Sequence, residues 1–166
     1  QMNNRRSFIV GIKSLKLSNQ EKNFLRKYKP WGVILFTRNI KNIKQTSKLT
    51  LSIKKIFKDK NYPILIDQEG GKINRLKNII AFDNLTSEFF GNKYVENFKE
   101  FTFFYKLFVD KTSYLLKSIG VNINTHIIND KEVYFEMDFS VKSQHVMDNL
   151  TDTTQTRYLY VNFTHI

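Results

Sequence analysis

The chain reads as an α/β domain assembled from parallel βαβ units. Short apolar runs, at Phe8–Ile12, Trp31–Phe36, Tyr62–Ile66 and from Val121 to Ile123, alternate with amphipathic segments of helical period. Continuously apolar runs are the mark of strands buried on both faces, as parallel strands are. Strict alternation of strand and helix then implies crossover connections and a parallel sheet. Helix start and stop signals separate the two kinds of segment, which makes the alternation more than a pattern of hydropathy.

Phe8-Ile9-Val10-Gly11-Ile12 suits a buried first strand. Ser18-Asn19-Gln20-Glu21 then has the form of a capping box, in which Ser and Glu satisfy each other's backbone donors. Phe24, Leu25 and Tyr28 supply an apolar face for the helix that follows, and Pro30 stands just beyond its end. Trp31 to Phe36 predicts the second strand. The next helix, about residues 42–58, carries Leu49, Ile53, Ile56 and Phe57 at helical spacing, with a lysine-rich solvated side. Tyr62 to Ile66 predicts the third strand, with Pro63 tolerable at its beginning. After a longer connection, residues 95–118 predict one long amphipathic helix. Its stripe of Phe98, Phe101, Phe104, Tyr105, Phe108, Leu115 and Leu116 is expected to be core. Gly120 fits the position just past its end. Val121 and Ile123 alternate with Asn122 and Asn124 in a fourth strand. Both an open doubly wound sheet and a barrel accommodate this order. No G-x-G-x-x-G follows the first strand, which disfavours a dinucleotide site.

Composition excludes several functions. With no Cys, disulfides and thiolate metal sites are ruled out, and a reducing, cytoplasmic compartment is expected. No segment approaches the roughly 20 apolar residues of a membrane span. The net charge of +12 invites a nucleic-acid reading. The lysines are nevertheless dispersed along helices and no arginine-rich block occurs, so no nucleic-acid partner is expected. Charge also divides the chain. Residues 1–125 hold 24 basic and 9 acidic residues, a net of +15, whereas residues 126–166 hold 3 and 6, a net of −3. All six glycines and both prolines precede residue 121, and His126, His145 and His165 all follow residue 125. The shift predicts a boundary near Thr125, with residues 126–166 a divergent tail: a break in coding sense from a frameshift, a gene fragment or a fusion is the favoured reading, and a genuine acidic C-terminal extension is the alternative. Ser140, His145 and Asp148 offer triad residue types there, but nothing around them forms a nucleophile elbow. The three histidines lack metal-ligand spacing.

Chemistry concentrates directly after the third strand, in Asp67-Gln68-Glu69-Gly70-Gly71-Lys72-Ile73-Asn74-Arg75. Binding residues of α/β proteins sit at the carboxyl ends of strands. A carboxylate such as Asp67 can accept hydrogen bonds from two neighbouring sugar hydroxyls. Gly70 and Gly71 permit tight turning and close backbone approach. Arg75 offers a planar fork of donors. The same residues also fit an ordinary Gly-Gly turn held closed by an Asp–Arg pair, and the residues alone leave both readings open.

Asp67-Gln68-Glu69-Gly70-Gly71 followed by Arg75 resembles the sugar-binding loop of glycoside hydrolase family 3, in its bacterial β-N-acetylhexosaminidase branch. Gly32-Val33-Ile34-Leu35-Phe36-Thr37-Arg38-Asn39 resembles that branch's signature after the second strand. The resemblance runs from about Phe8 to Thr125. It implies a TIM-type (β/α) barrel of which only about the first half is present, in residues 1–125. It also implies removal of terminal β-N-acetylglucosamine from peptidoglycan fragments during cytoplasmic cell-wall recycling, with no metal and no organic cofactor. The partner so implied is a small carbohydrate, an N-acetylglucosamine-containing muropeptide. Carried over by position, Asp67 holds hydroxyls of the terminal sugar and Arg75 supports substrate or loop. Arg38 and Asn39 are weaker candidates that suit bracing of neighbouring loops, and Glu69, Gly70 and Gly71 support the site. Glu69 is placed as a tempting acid/base partner of Asp67, a role the resemblance does not assign.

The family's acid/base loop, Lys-His-hydrophobic-Pro-Gly-His-Gly, cannot lie in this chain, which has no Pro after Pro63 and no Gly after Gly120. The Asp nucleophile segment is also missing, so no catalytic residue is assigned and the chain alone is expected to be inactive. A half-barrel leaves strand edges and apolar helix faces uncovered, which predicts self-association.

Overall fold

The computed structural model describes residues 5–128 and 157–162, with side chains described over 5–125. Four strands run parallel in chain order: β1 (Arg6–Gly11), β2 (Pro30–Leu35), β3 (Ile64–Ile66) and β4 (Ile123–Ile128). A fifth, β5 (Arg157–Asn162), lies antiparallel to β4, with Ile123 opposite Asn162 and Ile128 opposite Arg157. The helices are α1 (Asn19–Tyr28), α2 (Ile43–Phe57), α3 (Ser87–Glu96) and α4 (Phe98–Ser118). Residues 129–156 and 163–166, with Ser140, His145, Asp148 and His165, lie outside the described residues, as does the side chain of His126.

The strand order bears on the two arrangements left open above. A doubly wound sheet reverses direction beside its first strand. Here the order runs β1-β2-β3-β4 without reversal. Right-handed crossovers then put the helices on one face of the sheet. Val33, Leu35, Ile64 and Ile66 meet Leu49 and Ile53 of α2 and Leu115 and Leu116 of α4 in one buried cluster. On the opposite face Gly32 makes room for Leu65, since a methyl group at Gly32 would come 2.7 Å from Leu65 Cδ1.

Local signals account for the helix ends. Ser18 Oγ accepts from Glu21 N at 3.1 Å, and Glu21 Oε2 accepts from Ser18 N at 2.8 Å, completing the capping box. The other carboxylate oxygen of Glu21 accepts from Lys13 N at 2.8 Å, tying the helix start to the loop after β1. Helix α1 stops at Lys29, which is left-handed, and Pro30 opens β2. Gly120 follows α4 at φ 78°, where Thr50 lies against its Cα and donates to Ile119 O at 2.8 Å.

Four expectations are corrected. The first strand is an edge strand, not a buried one: Ile9 is 45% exposed, and burial begins at Ile12, just past its end. On α1 only Leu25 is buried, while Phe24 is exposed and rests against Tyr28. The long helix expected over residues 95–118 is two helices. Asn97 adopts extended backbone between them and accepts from Lys99 N and Glu100 N at 3.1 and 3.2 Å, because Asn serves better as a cap than inside a helix. Finally, the aromatic stripe is core only in part. Phe101, Leu115 and Leu116 are buried, but Phe98 is 61% and Phe104 43% exposed. In the first turns of α4, Phe98 and Phe101 pack against Tyr94 of α3.

The junction after α4 should tolerate no side chain. Gly120→Ala is expected to lower the unfolding free energy by about 2 kcal/mol, through left-handed strain and collision with Thr50. Urea denaturation checks this, and an unchanged midpoint would refute it.

Candidate functional site

Asp67 directly follows β3, on the edge of the sheet formed by the strand carboxyl ends. The chain then folds back on itself. Gly70 and Gly71 take φ 103° and 56°, and Gly70 bridges to Ile73. Gly71 N donates to Phe82 O at 2.9 Å. A side chain at Gly70 would run into Leu85 O, 2.5 Å from the Cβ position, so close backbone approach as well as dihedral angle demands glycine there. This turn returns Arg75 to Asp67, with Nη2 3.4 Å from Oδ2 and both side chains about a quarter exposed. Leu76, fully buried, anchors the end of the loop, and its N–H donates to Gln68 Oε1 and Asn74 Oδ1 at 3.0 and 3.1 Å.

Glu69 stands next to Asp67. Burial raises its carboxyl above the ordinary range, and the negative charge and acceptor oxygen of Asp67 raise it further, against the opposing pull of Arg75. Asp67 Oδ1 is buried with no hydrogen-bond donor, as are Arg75 Nε and Gln68 Nε2 without acceptors. With Glu69 ionised, the loop therefore holds two facing carboxylates. A buried acceptor without a donor is costly and marks a place where a ligand hydroxyl would be welcome.

Arg38 and Asn39 lie on the neighbouring single 3-10 turn, Thr37–Asn39, and neither meets Asp67. Arg38 Nε donates to Ile12 O at 3.0 Å. Asn39, completely buried, donates to Ile12 O and Ser14 O at 3.1 and 3.0 Å and accepts from Phe36 N at 2.9 Å. It braces the ends of β1 and β2. The ring of Phe36 links the two arginines, with Arg38 Cζ 4.5 Å and Arg75 Cζ 5.6 Å from its centroid. An open cleft of about 530 Å³ lies beside Arg38, lined also by Leu15, Thr37, Ile40, Lys41 and Asn78; Asp67 does not line it.

The loop thus brings Asp67, Glu69, Gly70, Gly71 and Arg75 together and leaves Arg38 and Asn39 one shell away. Sequence reasoning passed over three participants: Phe36, Gln68 and Asn124. Asn124 Oδ1 accepts from Gln68 N and its Nδ2 donates to Gln68 O, each at 2.9 Å. A polar residue alternating with apolar ones on β4 was the available signal, and it was read as pattern alone. Among the described residues no group of three or more His, Asp or Glu is placed to hold a metal ion, and no helix is long and apolar enough to cross a membrane.

A parallel α/β sheet with an acidic, glycine-turned loop at its strand ends defines an α/β protein whose candidate site lies at the carboxyl edge. No family model matches the chain. A β-hexosaminidase from Haemophilus influenzae is 35% identical over 71 residues, covering 43% of this chain and 20% of that protein. One from Neisseria meningitidis serogroup C is 39% identical over 67 residues, covering 40% and 18%. Among solved structures, NagZ from Neisseria gonorrhoeae in complex with N-trifluoroacetyl-D-glucosamine is 34% identical, with a TM-score of 0.40, over 46% of this chain and 22% of that one. A glycoside hydrolase family 3 β-N-acetylglucosaminidase from Paenibacillus is 31% identical, with a TM-score of 0.40, over 45% and 15%. The chain spans about a fifth of the length of the curated relatives it matches. On the sequence likeness, this chain resembles the N-terminal domain of glycoside hydrolase family 3, in its β-hexosaminidase branch.

The Glu69 environment has a pH consequence. A carboxyl raised on folding stabilises the fold below its unfolded value, and that stability is lost as pH rises through the folded value. Glu69→Gln removes the ionisation. It is therefore expected to be more stable than the parent near pH 7, with the gap closing as pH falls below the ordinary carboxylate range. Denaturation midpoints at pH 4 and pH 7 check this, and a gap that widens on acidification would overturn it.

Proposed function

We propose that the chain forms the opening part of a β-N-acetylhexosaminidase of the family 3 kind, an O-glycosyl hydrolase acting on terminal β-N-acetylglucosamine. Peptidoglycan fragments met in cytoplasmic cell-wall recycling are its substrates in this reading, and β1 to β4 are the first half of a TIM-type barrel. The observation that carries the proposal is Asp67 itself. It is an acceptor at a strand end, one oxygen turned to Arg75 and the other buried without a donor. Two vicinal hydroxyls of a sugar supply the missing donors, and hydrogen bonds to an ionised acceptor are the strong kind. Arg75 holds the carboxylate and keeps Nε available to a sugar oxygen or the loop.

Hydrolysis needs groups that these 166 residues do not supply, because the acid/base loop and the nucleophile segment have no counterpart in the sequence. The same fact favours a second reading for the chain by itself, a non-catalytic sugar-binding remnant. Isotope-labelled chain titrated with N-acetylglucosamine is expected to show shifts centred on Asp67 to Arg75. Asp67→Ala should weaken that binding by roughly tenfold to a hundredfold. No p-nitrophenol should be released from p-nitrophenyl β-N-acetylglucosaminide. Absence of binding by the parent would sink the proposal, and measurable release would sink the claim that the catalytic groups lie elsewhere.

Self-association is the remaining part of the proposal. The outer edge of β1 has no described partner strand, and Phe98, Phe103, Leu107 and Tyr114 of α4 are each more than half exposed. Sedimentation velocity over a concentration series is expected to show oligomers; a monomer throughout the series would contradict this.

A further inference from the structure

Strand β3 is only three residues long, and its backbone pairing with β4 is Leu65 with Ile123 and Ile66 with Asn124. The carboxylates that matter lie past the end of that ladder, at positions 67 and 69. Two asparagine side chains, Asn122 just before β4 and Asn124 on it, extend the pairing at both ends of β3. At the amino end, Asn122 Oδ1 accepts from Ile64 N at 2.8 Å and its Nδ2 donates to Asn61 O and Tyr62 O, both at 3.2 Å. At the carboxyl end, Asn124 closes a ring with both backbone groups of Gln68, each bond 2.9 Å and buried. Thr125 Oγ1 adds a bond to Ile66 O at 3.2 Å.

Gln68 lies between Asp67 and Glu69, so its peptide sets where both carboxyl groups start. Nothing else described binds the Gln68 main chain on that side. Its own side chain is engaged elsewhere, with Oε1 accepting from Leu76 N. From this geometry we infer that Asn124 is a positioning residue for the Asp67–Glu69 pair: its side-chain amide stands in for a strand backbone and holds the acidic loop at the sheet edge. The inference deepens the sugar-site reading and rests on it for its functional meaning. Asn124 itself is not placed against the sugar.

The two asparagines provide their own control. Asn122 makes three side-chain bonds to β3 and its preceding turn, and Asn124 makes two. If both served stability alone, Asn122→Ala would be at least as damaging by every measure. The experiment compares Asn122→Ala and Asn124→Ala in the whole chain. It reads thermal melting, affinity for N-acetylglucosamine, and the carbon-13 titration of the Asp67 and Glu69 carboxyl groups. Asn124→Ala is expected to weaken sugar binding on the order of tenfold and to move the Glu69 titration toward the ordinary carboxylate range. Asn122→Ala should lower the melting temperature while leaving affinity and both titrations as in the parent. Asn124→Ser, which keeps a hydroxyl against Gln68, replaces the alanine variant if that variant does not melt cooperatively. Equal effects of the two alanine variants on affinity and titration would overturn the inference. If the parent binds no sugar, the sugar-site reading fails, and the carboxyl titrations still decide whether Asn124 positions the pair.

Discussion

Backbone hydrogen bonding of one short central strand organises this molecule. Ile64, Leu65 and Ile66 are almost wholly shielded from water on both faces, so their peptide groups must find partners within the protein. β2 supplies them on one side and β4 on the other. Since β3 is so short, side chains complete what main chains begin: Asn122 before it, Asn124 and Thr125 after it. The strands on either side are thereby drawn into register, and the loop that leaves β3 emerges in a fixed direction. Tyr62 plays a related part at the start of the strand. Buried entirely, it stacks on Phe57 and donates its hydroxyl to Pro30 O at 2.8 Å, fastening α2 and β2 to the turn that leads into β3.

Much of this was legible because it is local. The Ser18–Glu21 box, the left-handed Gly120 and the Gly70–Gly71 turn each depend on residues a few positions apart. Apolar run length sufficed to find β2 and β3. What escaped was non-local or marginal. The partial exposure of β1 depends on which strands flank it, and an apolar run carries no record of its neighbours. The break at Asn97 was hidden because Tyr94, Phe98, Phe101 and Tyr105 keep helical spacing across it. A capping residue inside a good helical pattern then looks like noise. The exposure of Phe98 and Phe104 was missed for a related reason, since periodicity reports that a face exists and not whether anything covers it.

The candidate site divides along the same line. Its chemistry, a carboxylate, a second carboxylate two residues on and a guanidinium eight residues on, is written in one continuous segment, and the glycine turn that unites Asp67 with Arg75 is written with it. Its alignment is written elsewhere. Phe36, just past β2, lies under the Arg75 guanidinium, and Asn124 from β4 grips Gln68. Asparagine in a strand has low intrinsic preference for that setting. Its presence at both 122 and 124 makes sense only once β3 is seen to need acceptors and donors past its ends.

This division bears on how far the site depends on the remainder of a larger sheet. The Asp67–Arg75 contact closes through a loop of nine residues, and β2 and β4 both lie within the described sheet, so the features that shape the loop need no further strand. Charge points the same way. Arg75 and Arg38 both flank Phe36, and Arg75 offsets one of two neighbouring carboxyl groups. The second, Glu69, is raised above the ordinary carboxylate range by burial first and then by the charge of Asp67, with Arg75 opposing both. A loop that keeps two carboxyl groups together against one guanidinium stores an imbalance that hydroxyl donors relieve. That imbalance, more than the number of strands around it, is the physical reason why the proposed sugar site is put at the carboxyl end of β3.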